Sequence, residues 1–202
     1  METELQALLN RSAVKVYDST YKIEKSELEE ILTFANRAPS AWNLQHWHFL
    51  AITSDEAKEK LLPIAYNQKQ ITESSVTIVV LGDKQANLNV ETIYGSAVEN
   101  GEITEDIKNM VQKQVEAVYQ NQNYAYEAAV MNATFPAMQI MNAATIKGLG
   151  TCAIGGFNRT QLEEAFQIDE RFVPLMLITI GKTLKDPRTS TRRPLSEVVT
   201  YH

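Results

Sequence analysis

Apolar side chains recur at helical spacing in several stretches of this chain, and three stretches open with a hydroxyl residue followed three positions later by Glu or Gln: Thr3/Gln6, Ser26/Glu29 and Thr160/Glu163. Such pairs can close the first turn of a helix, the hydroxyl accepting from a free amide and the longer side chain reaching back. After Ser26, the residues Leu28, Ile31, Leu32 and Ala35 share one face, and Pro39 closes the segment. A second helix is expected over 54–62. A third, amphipathic one is expected over 102–119, with Ile103, Ile107, Met110, Val111, Val115 and Val118 on one side. Over 124–147 the apolar residues surround the helix axis on most sides, the pattern of a helix buried in the core or between subunits. Pro136 is expected to kink or break it. Runs at 47–53, 76–81 and 175–181 have strand length and stand beside turn residues. Helices outnumber strands, the strands lie far apart, and no regular βαβ interval repeats, so the fold class read from the pattern is α+β.

Composition narrows the function classes. A chain of 202 residues, 44% hydrophobic and 22% charged, is long enough for one full core and sits near the upper edge of a single domain. The formal charge of -6 argues against coating nucleic acid or anionic membrane, either of which needs an excess of positive charge. Cys152 is the single cysteine, which excludes an internal disulfide framework and suits a reducing compartment; the cytoplasm is the expected location. Glu2 and Glu4 stand where a secretory leader would carry Lys or Arg, and no apolar run approaches the ~20 residues needed to span a bilayer. The shortage of positive charge is regional: residues 181–202 carry five Lys and Arg against two carboxylates.

Four clusters bear on chemistry. Gly148-Leu149-Gly150-Thr151-Cys152-Ala153 satisfies the letters of a dinucleotide-binding loop, but that loop needs a strand before it and a helix opening at its end. Here a long buried helix precedes it, so Gly148 reads better as a helix C-cap. Downstream, Ile154-Gly155-Gly156-Phe157 would let backbone approach a flat ligand with its amides available, although two glycines alone fit a plain tight turn. Residues 38–49 gather Ser40, Asn43, Gln45, His46, His48 and two tryptophans between a helix end and a strand start, where binding groups are usually presented. Each histidine taken singly is better read as loop packing, and neither has partners at metal-ligand spacing, so no metal is assigned. Arg11 and Lys15 lie four apart, and Arg192-Arg193 stand near the end; either pair could be solvated surface, and a phosphate would give them a joint purpose. Cys152, with no paired histidine nearby, reads as a small hydrophobe.

Taken in order, these pieces resemble the FMN-dependent nitroreductases, small NAD(P)H-using flavoproteins. Arg11-Ser12-Ala13-Val14-Lys15-Val16-Tyr17-Asp18 is similar to R-R-S-x-R-x-F-D. Residues Ala38-Pro39-Ser40 through Asn43, Gln45 and Trp47-His48-Phe49 resemble A-P-S-x-x-N-x-Q-P-W-x-F. Gly148-Leu149-Gly150-Thr151 before Ile154-Gly155-Gly156 resembles the family's G-L-G-T stretch, and Arg192-Arg193-Pro194-Leu195-Ser196-Glu197-Val198-Val199 its R-x-P-L-x-E-V-V ending.

The resemblance implies a central, mainly antiparallel sheet flanked by helices, in a single domain over 1–202 that forms an intertwined homodimer, with a C-terminal arm over about 183–202 packing on the partner subunit. It implies FMN as cofactor, NAD(P)H as co-substrate, and a quinone or nitroaromatic acceptor reduced in a two-step, ping-pong hydride transfer. Arg11, Ser12, Ala13 and Lys15 would hold the phosphate, the ribityl chain and the polar edge of the ring, with Arg192 or Arg193 closing on the phosphate. Pro39, Ser40, Ala41 and Asn43 would reach the flavin of the partner subunit. Asn67 and Gln70 would bond the pyrimidine end and ribityl, and Ile154, Gly155 and Gly156 would pack on the ring with the Gly156 amide directed at N5, the flavin doing the chemistry with no side-chain acid or base. Ser12 and Ala13 depart from the commoner Arg-Ser, His46 replaces the usual Pro, and Gly155 stands where some relatives carry an acid. Alternatives on the same fold are a reductive dehalogenase, a flavin-consuming oxidase, or a non-catalytic flavin-binding protein.

Overall fold

In a computed structural model that describes residues 3–202, the chain orders as α1 (Glu4–Asn10), α2 (Lys25–Ala35), β1 (Trp47–Ile52), α3 (Asp55–Ile64), α4 (Gln70–Glu73), β2 (Val76–Asp83), α5 (Val90–Glu99), α6 (Glu105–Tyr119), α7 (Gln122–Ile146), β3 (Gly150–Ile154), α8 (Arg159–Phe166) and β4 (Phe172–Gly181). The four strands form one sheet in the order β1-β2-β4-β3, every neighbouring pair antiparallel. This is the expected α+β class.

β2 sits inside the sheet with helices on both faces, and so reads in sequence as an unbroken apolar run. Its side chains divide by the two-residue period: Val76, Ile78 and Val80 join Ile31 of α2 and Ala137 and Ile140 of α7, while Val79 and Leu81 join Leu61 of α3 and Leu162 of α8 on the other face. A smaller cluster of Leu44, Val90, Val111 and Val115 seats α5 and α6 on the segment before β1.

The capping expectations hold at Thr3, whose side chain accepts from the Gln6 amide, and fail at two other sites. α2 starts at Lys25 with no side-chain cap, so Ser26 lies inside the first turn. α8 is capped by Asn158, which accepts from the Gln161 amide, two residues before the expected Thr160/Glu163 pair. Pro136 does not break α7, which runs continuously from Gln122 to Ile146. It is buried inside a helix packed on α2 and the sheet, and that packing outweighs one missing backbone bond. Nor does α6 bury its whole apolar stripe: Val111 and Val115 are buried while Ile107 and Met110 are exposed. α7 likewise leaves Met131, Phe135 and Met138 on its surface.

Gly148 ends α7 as expected. With φ at +77°, it donates to the Thr145 carbonyl, and Leu149 donates to the Ala144 carbonyl, the paired bonds of a Schellman motif. The chain then enters β3 rather than a helix, which removes the dinucleotide-loop reading of 148–153. β3 is a strand that the sequence pattern did not announce.

Candidate functional site

β3 is short because it lies at an edge and pairs only with the last part of β4, Gly150 against Gly181 through Ile154 against Leu177. On its outer side runs the N-terminal segment: Ala13 bridges Thr151, and Val14 donates to the Thr151 carbonyl at 2.9 Å. Gly150 is needed for this approach, since a Cβ there would stand 2.5 Å from Thr183 Oγ1 and 2.7 Å from Val14 Cγ2. The exposed Lys15 side chain folds back over β3 and donates to Cys152 Sγ at 3.4 Å. Cys152 itself is fully buried in the core, as a small hydrophobe would be.

Beyond Ile154 the chain leaves the ladder at Gly155 and Gly156, both exposed, and re-enters the core at Phe157. Among the described residues, neither glycine amide donates to a backbone carbonyl. No atom lies within 4 Å of where a Gly155 Cβ would be, so the turn presents an open face with free N–H groups. The 66–70 segment closes this side. Gln68 Nε2 donates to the Gly156 carbonyl at 2.8 Å and to the Ala65 carbonyl at 3.1 Å, and the buried Gln70 donates to Gln68 Oε1 at 3.1 Å. The structure therefore brings Arg11, Ser12, Ala13, Lys15, Asn67, Gln70, Ile154, Gly155 and Gly156 to one edge of the sheet, around β3.

Pro39, Ser40, Ala41 and Asn43 stand elsewhere. They precede β1, the opposite edge strand, with β2 and β4 between them and β3. The loop bends through positive φ at Trp42, Asn43 and Gln45, a shape whose polar groups need side-chain partners. Asn132 Oδ1 accepts from the Ala41 amide at 2.8 Å, Ser40 Oγ accepts from the Gln45 amide at 2.9 Å, Tyr94 Oη donates to the Trp42 carbonyl, and Asn89 Nδ2 to the Leu44 carbonyl. The other candidate loop is bent in the same way at Tyr66 and Asn67. Among the described residues, the remaining positive-φ position that is not glycine is Gln167, which ends α8.

His46 closes the 39–45 loop from beneath. It is fully buried, both ring nitrogens lack a protein hydrogen-bond partner, and its ring stacks on Tyr119 with centroids 6.4 Å apart. Burial pushes its pKa down to about 4, against a weaker upward pull from Asp83. Asp83 is also buried and is held by Arg171 through paired bonds of 2.7 and 2.6 Å, which raise the Arg171 pKa. His46 is thus a packing group, the reading its isolation in sequence favoured.

Arg192 and Arg193 lie on the exposed arm, and the Arg192 guanidinium donates to the carbonyls of Ser190 and Thr191. Of the basic residues counted over 181–202, the sequence singles out Arg192 and Arg193, whereas Lys185 and Arg188 are the two that line a cavity of about 450 Å³ together with Ala13 and Lys15. Sequence reading assigns Gln68 no role. Regional charge points to Lys185 and Arg188 as a group, but which cations meet the N-terminal segment, and that Gln68 meets Gly156, is set by proximity in space.

Residues 8–182 match the profile of the nitroreductase family. The chain is 50% identical over 201 residues to YodC of Bacillus subtilis (strain 168), which is named as an NAD(P)H nitroreductase, with 100% of both chains covered. Among solved structures, it is similar to a nitroreductase in complex with FMN from Exiguobacterium sibiricum 255-15, at 33% identity and a TM-score of 0.93, covering 100% of this chain and 98% of that one. It is also similar to an NAD(P)H:FMN oxidoreductase from Staphylococcus epidermidis ATCC 12228, at 35% identity and a TM-score of 0.94, covering 100% and 97%. A turn of two glycines with free amides beside a basic N-terminal segment, set in this antiparallel sheet and matched along the whole chain, leaves one conclusion: the chain belongs to the nitroreductase family.

Proposed function

We propose that this protein is an FMN-dependent NAD(P)H oxidoreductase that reduces quinones or nitroaromatics and works as a homodimer. The observation that carries the reading is the split of the site residues between opposite edges of one sheet. A single chain cannot close Pro39, Ser40, Ala41 and Asn43 over the glycine turn, because β2 and β4 stand between; two chains related by a two-fold axis can, each supplying the half that the other lacks. The exposed apolar side chains agree: Met131, Phe135 and Met138 on α7, and Leu195, Val198 and Tyr201 on the 183–202 arm, are left about half open to solvent, or more, by their own chain.

The residues around β3 fit the flavin. Free amides at Gly155 and Gly156 suit the polar edge of a planar ring, and the open space at Gly155 admits it. Arg11 and Lys15 provide cations for a phosphate, with Arg188 and Lys185 in reach of the same segment and Arg192 or Arg193 supplied by the arm. When bound, FMN would supply two-electron hydride chemistry, with NAD(P)H as the donor and the acceptor reduced in a second half-reaction. The protein's part is to orient the ring, to hold the Gly156 N–H toward N5 where negative charge develops, and to keep both sides of the cleft shaped for successive planar reactants.

The test is the absorbance spectrum of the purified protein with FMN, before and after anaerobic NADPH, together with its mass in solution. The reading expects a bound flavin that bleaches with NADPH and reoxidises on adding a quinone, in a particle of two chains. A protein that takes up no FMN would sink it, and a bound flavin that NADPH cannot reduce would replace it with a flavin-binding role.

A further inference from the structure

The glycine turn has few fixed points of its own. Ile154 is its last residue in the ladder, and the next anchors are the buried Phe157 and the Asn158 amide, which donates to the Ile64 carbonyl at 2.9 Å. Between them Gly155 and Gly156 have no Cβ to restrict their dihedrals and no ladder bonds, a pair that loses more backbone freedom on ordering than any other dipeptide. Among the described residues, the hydrogen bond that reaches this gap comes from Gln68.

Gln68 is committed on all sides. Its carboxamide has two N–H donors and one carbonyl acceptor, and each is engaged: the donors by the Gly156 and Ala65 carbonyls, the acceptor by Gln70 Nε2. Those bonds fix the side chain and link two parts of the proposed flavin site that are 86 residues apart, Gln70 and Gly156. Tyr66, bent at φ +54°, borders the same turn, with Cδ2 3.8 Å from where a Gly156 Cβ would lie.

We propose that Gln68 is a positioning residue for the flavin, its single carboxamide setting the Gly156 turn and the Gln70 side chain against opposite parts of one ring. This rests on the proposed flavin site. Gln68 acts through its neighbours: with the Gly156 carbonyl tethered, the N–H of the same residue keeps one direction, and with Gln70 held by one donor, its remaining polar atoms keep one height.

Two substitutions test it. Gln68→Met keeps the length and removes both donors and the acceptor. Gln68→Glu keeps the acceptor and sets a carboxylate against the Gly156 carbonyl, a clash that protonation relieves by restoring one donor. The FMN dissociation constant, from quenching of flavin fluorescence, is expected to rise by about tenfold in Gln68→Met, the size of one lost hydrogen bond. In Gln68→Glu it is expected to rise at pH 7.5 and to recover toward the wild-type value at pH 5.0, each measured against wild type at the same pH. The flavin midpoint potential is expected to move in both variants at pH 7.5. Wild-type affinity and potential in both variants would overturn the proposal, as would a loss in Gln68→Glu that is equal at the two pH values, since damage to the fold would carry no such rescue. Failure of the wild-type protein to bind FMN would overturn the flavin reading itself, and it shows before either variant is made.

Discussion

His46 offers a direct check on the energetics of the loop before β1. Its imidazole is fully buried, neither nitrogen has a protein partner, and its pKa falls from the ordinary 6.5 to about 4. The charged and titratable groups around it give a protonated ring little relief. Asp83 on β2 is already engaged by Arg171, Tyr119 on α6 stacks on the ring, and Tyr124 on α7 meets Tyr119 edge-on. Because the folded state resists a proton that the unfolded chain accepts below pH 6.5, stability falls as pH drops through 6.5 and levels off near 4. The gap between the two pKa values corresponds to roughly 3 kcal/mol in full, and to about 2 kcal/mol at pH 5. His46→Leu removes the titrating group and the unpartnered nitrogens together, so its stability at pH 7.5 should stay within about 1 kcal/mol of wild type. Urea unfolding at pH 7.5, 6.0 and 5.0 checks this: wild type should lose stability across the series, and His46→Leu should lose much less. Asp18 and Asp55, whose pKa values are lowered by their hydrogen bonds with Thr20 and Lys22, respond only below 3.8, outside the window. Equal acid losses in both proteins would refute the assignment.

The same contacts set further outcomes. Arg171→Met leaves the buried Asp83 carboxylate without its cation and should destabilise by about 3–5 kcal/mol in urea unfolding, with Asp83→Asn restoring part of the loss in the double variant. Gly150→Ala forces a methyl against Val14 and Thr183, and should lower stability by about 1–3 kcal/mol and weaken FMN binding together. Gly155→Ala meets no atom and should leave the melting temperature unchanged, while in the proposed site its methyl would stand against the ring and weaken FMN binding; unchanged binding would move the flavin elsewhere. Asn132→Leu strands the Ala41 amide and should cost about 1–3 kcal/mol, read by thermal unfolding.

The elements most legible in sequence were those whose local pattern is also their tertiary fate. α2, α3 and α7, the Schellman end at Gly148, and β1, β2 and β4 follow from periodicity and turn residues; α2 and β2 bury the face or run that their apolar spacing marks, while α7 leaves Met131, Phe135 and Met138 exposed. β3 escaped notice because it is five residues long and its sequence, Gly-Thr-Cys-Ala-Ile, carries little alternation; pairing with β4 makes it a strand. Asn158 took the cap from Thr160 because a side-chain cap acts where the chain turns, and contact with Ile64 sets that turn. Pro136 stayed inside α7 for a similar reason, packing on both sides outweighing a local rule.

The candidate site divides along the same line. Residue types and their order along the chain marked Arg11, Lys15, the 38–49 loop and the Gly155–Gly156 turn, because a phosphate needs cations and a flat ring needs bare backbone. Their arrangement in space belongs to the sheet. Strand order placed the Pro39–Asn43 loop on the edge opposite β3, the separation on which the proposal of a two-chain site rests, and the bend at Tyr66 and Asn67 brought Gln68 onto Gly156. A sequence records which groups are available over short spans of chain. Which of them meet across 86 residues depends on strand pairing and core packing, whose energies arise from contacts between distant segments.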